Sequence, residues 1–316
     1  MSDARPADRT WLHGLLFVLT VLTACFAGLG WSASYLAFGA GAPGTDIAAG
    51  AAGALRDPRV FPLSALYAAV LMAILVGHEL GHYLTCRRYG IAATLPYFLP
   101  GPPFIGTFGA FIRIKSRIHF RRQIFDVGAN GPLVGFALAL PALAAGLAFS
   151  RTAPFAPSAG TITFGEPLAF RLLASLFFGR VPEGEALVLH PVGFAGWVGL
   201  LVTAINLMPL GQLDGGHIAY ALLGPRARYL SFATIGVLAV LGVFFHVTWL
   251  LIAGLLLFFE FRSKLRLNHP PVVDEGAPLG WKRRVLSAVV AAVFVLSFIP
   301  DPIQGAGLID ILSGKW

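Results

Sequence analysis

The residues from Phe61 to Thr85 form an apolar run long enough to cross a hydrocarbon layer of about 30 Å as a helix. Its second half carries Gly77-His78-Glu79-Leu80-Gly81-His82. These two properties oppose each other. A carboxylate at the centre of a membrane-buried helix costs roughly 2.5 to 3.5 kcal/mol on insertion scales, so an acid kept there beside two histidines is explained first by function. Composition decides the solvent: of 316 residues, 57% are hydrophobic and only 12% charged, which places the chain in the membrane class.

The rest of the chain reads as further spans. Trp11 to Phe38 exceeds a signal-peptide core and has no convincing cleavage site, so it reads as a retained span behind a short cytoplasmic tail, residues 1–10. An exterior connector to about residue 60 completes the first region, 11–60. Span three is expected from about Val127 to Phe149, opening with Gly128-Ala129-Asn130-Gly131-Pro132. There Pro132 suits a first turn, and the small residues serve either close helix packing or the site itself. Ser150 to His190 shows little charge bias and reads as an exterior loop with one short helix near Leu168 to Phe178. Span four begins near Pro191, breaks around Asn206 to Gly216, and resumes to Leu223. Tyr229 to Phe261 fits two compact helices if it breaks near His246-Val247-Thr248, and Val285 to Pro300 forms a last short span.

Charge sets the orientation. The seven Lys and Arg residues between Arg87 and Arg122 (Arg87, Arg88, Arg113, Lys115, Arg117, Arg121, Arg122) are accompanied by no acid, which marks that side, and with it the N-terminus, as cytoplasmic. The net charge of +8 is therefore a topology signal and not the footprint of a nucleic-acid binder. Within this segment the prolines of Leu95 to Pro103 exclude helix. The β-branched and aromatic residues from Gly106 to Ile118, with Ile112-Arg113-Ile114-Lys115 alternating, predict one or two short strands at or dipping into the cytoplasmic interface, tolerable at membrane depth only if paired or buried. The expected fold is an all-α polytopic membrane protein of about six to seven transmembrane helices with this short β region. Residues 61–224 form its catalytic membrane core, and residues 225–316 its C-terminal helices and tail.

Residues four apart share a helix face, so His78 and His82 can present imidazoles to one metal while Glu79 sits one step round. A catalytic Zn²⁺ takes three protein ligands and keeps one position for water. Asp214 is the natural third ligand, because it and Glu79 alone among the acids are embedded in span-like sequence. The alternative for Asp214 is a helix cap beside Gly215-Gly216. His217, one turn on, reads equally as support for the site or as packing. His13, His119, His190, His246 and His269 fall at span ends or in loops.

Together, His78-Glu79-Leu80-Gly81-His82, Asn206-Leu207-Met208-Pro209 and Leu213-Asp214-Gly215 resemble the site-2 protease family of intramembrane zinc metalloproteases. Gly106-Thr107-Phe108-Gly109-Ala110-Phe111 and Gly211 to His217 look closest to its bacterial and plant plastid branch. The resemblance spans about Phe61 to Gly224, without a PDZ-like insertion. It implies one Zn²⁺ per chain held by His78, His82 and Asp214, with Glu79 as general base and acid and Asn206 near the scissile carbonyl. It also implies hydrolysis of peptide bonds in or near the transmembrane segment of a single-span protein substrate within the lipid bilayer, here the bacterial plasma membrane. The competing class is a metal-binding membrane transporter or a non-proteolytic scaffold. Against it, transporters spread polar residues over several spans and often show repeats, whereas here they gather in two places.

Overall fold

The computed structural model describes residues 10–39, 55–154, 163–263, 272–274, 277–303 and 307–314. Among the described residues, four stretches are long and apolar enough to cross a membrane: Thr10–Ala37, Val60–Arg88, Arg121–Ala148 and Asp214–Phe244. Pro191–Asn206 and Thr248–Phe258 are shorter apolar helices. The chain divides into two compact units, one of residues 1–117, 141–155 and 181–198, the other of residues 118–140, 156–180 and 199–316.

In the first unit, helix α1 (Thr10–Gly39) packs against α2 (Val60–Arg88). The two approach closely at Gly28, where a Cβ would stand 2.8 Å from the Ser64 carbonyl oxygen, and the Ser64 hydroxyl donates to the Cys25 carbonyl. Strand β1 (Tyr97–Pro100) pairs antiparallel with β2 (Thr107–Phe111). This hairpin lies along α1. His13 Nδ1 lies 3.0 Å from the Pro96 carbonyl oxygen where the hairpin begins, the Phe17 and Phe98 rings meet edge-on, and Trp31 Nε1 donates to Phe104 at the tip (2.7 Å). From His13 to Trp31 is about 27 Å of helix rise. Irregular backbone packed against apolar helices needs partners inside the protein, and the tip has them: Trp31, Tyr67 (2.8 Å) and Thr23 (2.6 Å) donate to the successive carbonyls of Phe104, Ile105 and Gly106. The alternating Ile112 to Lys115 segment lies outside the regular ladder, and Ile114 forms an isolated bridge to Ala93.

Helix α3 (Arg121–Ala148) contributes residues to both units. It begins six residues before the expected Val127, so Pro132 lies in its interior and not in its first turn. The polar turn that starts it explains the difference: Gln123 Oε1 accepts the backbone N–H groups of His119 and Phe120 (3.3 and 3.2 Å), the back-reaching half of a capping box. Pro132 then costs one internal bond, to the carbonyl four residues before it. The loop after α3 holds a second hairpin that periodicity missed, β3 (Arg151–Pro154) with β4 (Glu185–Val188), in the first unit. It also holds α4 (Leu168–Phe178), at the expected bounds.

Helix α5 (Pro191–Asn206) ends at the polar break. The second unit continues with α6 (Asp214–Leu223), α7 (Ala227–Phe244), α8 (Thr248–Ser263), α9 (Trp281–Ser297) and α10 (Leu308–Ser313). The interruption between α7 and α8 falls at the expected His246–Val247. Ile124, Phe125 and Ala129 of α3 share a core with Ile218 to Ala221 of α6 and Val290 and Val293 of α9. Met208, Leu238, Leu241 and Trp249 form another. Most of the expected connector before residue 60 and His269 lie outside the described residues.

Candidate metal centre

On α2 the spacing of the histidines gives the expected geometry. His78, Glu79 and His82 are 3%, 3% and 6% exposed, and one ligand atom from each lies within 4.8 Å of the others. Among the described residues this is one group of histidine and acid side chains that could hold a metal ion. The Nε2 atoms of His78 and His82 are 3.1 Å apart, and the rings are tilted at 66° with centroids 4.9 Å apart. Two tetrahedral ligands, each about 2.05 Å from a zinc ion, would be separated by about 3.3 Å. Two imidazole nitrogens this close, beside a buried carboxylate, form a donor set that fits a divalent cation of the zinc type.

Asn206 and Asp214 belong to the second unit and bracket its irregular segment. Leu207, Met208 and Leu210 in that segment are buried, and Ser231 of α7 donates to the Pro209 carbonyl (3.2 Å). The break is therefore packed within protein, as membrane depth requires. Gly215 and Gly216 do more than loosen the helix. A Cβ on Gly215 would come within 2.1 Å of the Leu207 carbonyl oxygen, and one on Gly216 within 2.3 Å of that of Gly211. The first turn of α6 thus lies backbone against backbone on the loop before it.

Asp214 is the first helical residue of α6, and the N-cap is Leu213, with no side-chain capping bond. The carboxylate thus sits at the N-terminal end of α6, where the helix dipole favours negative charge. The small residues of α3 do pack: a Cβ on Gly128 would lie 3.0 Å from the Asp214 carbonyl oxygen and 3.1 Å from His217 Cβ. His217 is accordingly in contact with α3. His13 supports the hairpin, and the Nδ1 atoms of His190 and His246 accept the backbone N–H groups of Val192 and Thr248 (3.2 and 3.3 Å) at the starts of α5 and α8.

Sequence reasoning missed Thr23, Trp31 and Tyr67, which brace the hairpin tip, and Gly128 as the residue that seats Asp214. Donors placed singly in apolar runs carry no local pattern. Their one sequence signal is polarity without periodicity.

A sequence profile described as peptidase family M50 matches residues 66–249, more than half of the chain. The chain is 35% identical over 187 residues to the probable zinc metalloprotease EGY2, chloroplastic, of Oryza sativa subsp. indica, covering 58% of this chain and 34% of that protein. It is 32% identical over 242 residues to the Arabidopsis thaliana protein of the same name, covering 76% and 42%. To the probable zinc metalloprotease EGY1, chloroplastic, of Arabidopsis thaliana it is 31% identical over 239 residues, covering 73% and 42%. The chain thus spans between 34% and 42% of the length of these relatives. No solved structure matches.

Proposed function

The chain belongs to peptidase family M50, the site-2 protease family, and from that premise we propose that it is an intramembrane zinc metalloprotease hydrolysing peptide bonds within or near transmembrane segments. The observation that carries the reading is the buried group of His78, Glu79 and His82, with ligand atoms within 4.8 Å. His78, His82 and Asp214 would hold one zinc ion per chain. When bound, the ion supplies Lewis-acid polarisation of the scissile carbonyl and of the attacking water.

The protein's own groups carry the protons. Glu79 accepts the water proton at its carboxylate and returns it to the leaving amide nitrogen. The Asn206 side-chain amide donates to the carbonyl oxygen as negative charge builds there, a role worth about 2.7 to 4 kcal/mol in related chemistry. His78 is nine residues from Arg87, roughly 13 Å by helix rise, so water enters from the basic side. An extended single-span substrate would add as a strand beside the β1–β2 hairpin, which supplies backbone recognition tolerant of sequence. The core of this activity is assigned to residues 61–224, within a fold of six to seven crossings with the N-terminus on the cytoplasmic side. The bacterial plasma membrane expected from sequence draws no support from the chloroplast relatives, and the proposal is confined to a bilayer whose positive side carries Arg87 to Arg122.

The deciding experiment is Glu79→Gln in the purified, reconstituted protein. The variant is expected to retain zinc and lose cleavage of a single-span substrate. Normal turnover by the variant, or wild-type protein that binds no zinc, would sink the protease reading in favour of a transporter or scaffold.

A further inference from the structure

Arg121, the first residue of α3, makes contacts that reach beyond a topology signal. Its Nε and Nη2 donate to the Ala221 carbonyl oxygen at 3.0 and 2.6 Å, and Nη2 also donates to that of Leu222 at 3.1 Å. Nη1 donates to the Ala277 carbonyl at 2.8 Å, while the backbone N–H of Arg121 donates to Asp274 Oδ1 at 2.7 Å. Beside it, the Val273 N–H donates to the His119 carbonyl (2.9 Å). The last four carbonyls of a helix have no partner inside it and carry its negative end, so a guanidinium there satisfies both geometry and charge. In α6 those carbonyls include Ala221 and Leu222.

The other end of α6 meets α3 as well. Gly128 follows Arg121 by seven residues, two turns along the same face and about 10.5 Å. A Cβ there would lie 3.0 Å from the Asp214 carbonyl oxygen and 3.3 Å from Ile218 Cγ1. Asp214 to Ala221 is also seven residues, so α3 holds α6 at matched points near its two ends. Chain continuity alone does not fix this ten-residue helix, because the Asn206 to Leu213 break precedes it and Gly224, at φ +60°, follows it. Packing on the preceding loop at Gly215 and Gly216 holds its first turn, and Arg121 grips its last.

We propose that Arg121 is a positioning residue for the metal centre: by gripping the C-terminal carbonyls of α6 it fixes where the N-terminal end of that helix presents Asp214. The inference rests on Asp214 being the third metal ligand.

Its test is metal affinity of the full-length protein in lipid nanodiscs, measured by chelator competition for Zn²⁺ and by the visible d–d bands of Co²⁺, which report the ligand set without reference to turnover. Arg121→Gln should weaken Zn²⁺ binding about tenfold, the scale expected when a residue that orients a ligand is lost, and should reduce the Co²⁺ bands. Arg121→Lys, one ammonium facing three carbonyls, should recover part of the loss. If Arg121→Gln does not yield folded protein, Arg121→Lys carries the test alone, with a several-fold weakening expected. The control is Arg283→Gln, which breaks the ion pair of α9 with Asp126 of α3 (2.7 Å), and which should leave the affinity within about twofold. Wild-type affinity in the Arg121 variants, or an equal loss in Arg283→Gln, overturns the inference. Asp214→Asn separates the two levels. If it weakens binding while the Arg121 variants do not, the positioning role falls and the ligand reading stands. If Asp214→Asn binds as the wild type does, the ligand reading falls and takes the positioning role with it.

Discussion

His78 and His82 bring their Nε2 atoms to 3.1 Å across one turn of α2. As a hydrogen bond between neutral rings, this contact needs one N–H and one lone pair. As the flank of a cation, it needs two lone pairs, and a buried Glu79 beside them. The second arrangement predicts strong dependence on each ring separately: His78→Ala and His82→Ala should each lower zinc affinity by about a hundredfold or more, beyond the range of residues that only orient ligands. Metal content after dialysis against a graded chelator checks this. Full zinc occupancy in either single variant would favour the hydrogen-bonded pair.

The hairpin tip makes a second expectation possible. Gly106 has φ +90°, and a Cβ there would stand 2.4 Å from Ala24 Cα. Gly106→Ala therefore forces both strain and backbone overlap, at a cost of about 2 to 5 kcal/mol. Tyr67→Phe keeps the ring and removes the donor to the Ile105 carbonyl, a loss of about 1 to 3 kcal/mol where no water can substitute. Both should lower the thermal midpoint in nanodiscs, Gly106→Ala the more. An unchanged midpoint in both would mean that the tip is not held between α1 and α2.

The glycines of α6 give a third. Gly215→Ala puts a methyl group 2.1 Å from the Leu207 carbonyl oxygen, so the first turn of α6 has to shift and carry Asp214 with it. Loss of metal affinity is expected along with loss of stability. Gly236 of α7, where a Cβ would meet nothing within 4 Å, is the contrast: alanine there should be neutral or stabilising by up to about 1 kcal/mol. Equal effects of the two substitutions on zinc binding would contradict the close packing at Leu207.

How much of this was legible beforehand depends on how local the cause is. The spans of α1 and α2, the His78–His82 face, the break between Asn206 and Asp214 and the stop at His246 all follow from hydropathy, the helical repeat and the backbone effects of Pro and Gly. The start of α3 did not, because it depends on one amide, Gln123, reaching back three residues in a segment whose arginines read as topology signals. The hairpin was predicted from β-branched residues, but what holds its tip was invisible. The tip depends on donors from Thr23, Trp31 and Tyr67, each more than thirty residues from the carbonyl it serves. Arg121 was read as one charge among seven, and its grip on Ala221 spans a hundred positions. The strands β3 and β4, four residues each, are too short to show a period.

His190 supplies a prediction about pH. Its imidazole is buried against Tyr35 and Phe149, its Nδ1 accepts the Val192 N–H (3.2 Å), and Arg151 lies nearby on β3, stacked on the Tyr35 ring at 4.4 Å. Burial, and then the positive charge of Arg151, hold its pKa below the ordinary histidine value of 6.5. The folded state thus refuses a proton that the unfolded chain, titrating near 6.5, accepts. Stability from this site is complete above about pH 6.5 and declines as the pH falls below it, until the folded form also protonates. Hydrogen exchange across Arg151–Pro154 and Glu185–Val188, corrected for intrinsic rates, should accelerate between pH 7.5 and 5.5. His190→Asn, whose side-chain oxygen can still accept the Val192 N–H but does not titrate, should flatten that dependence. An equally steep profile in the variant would move the titration away from His190.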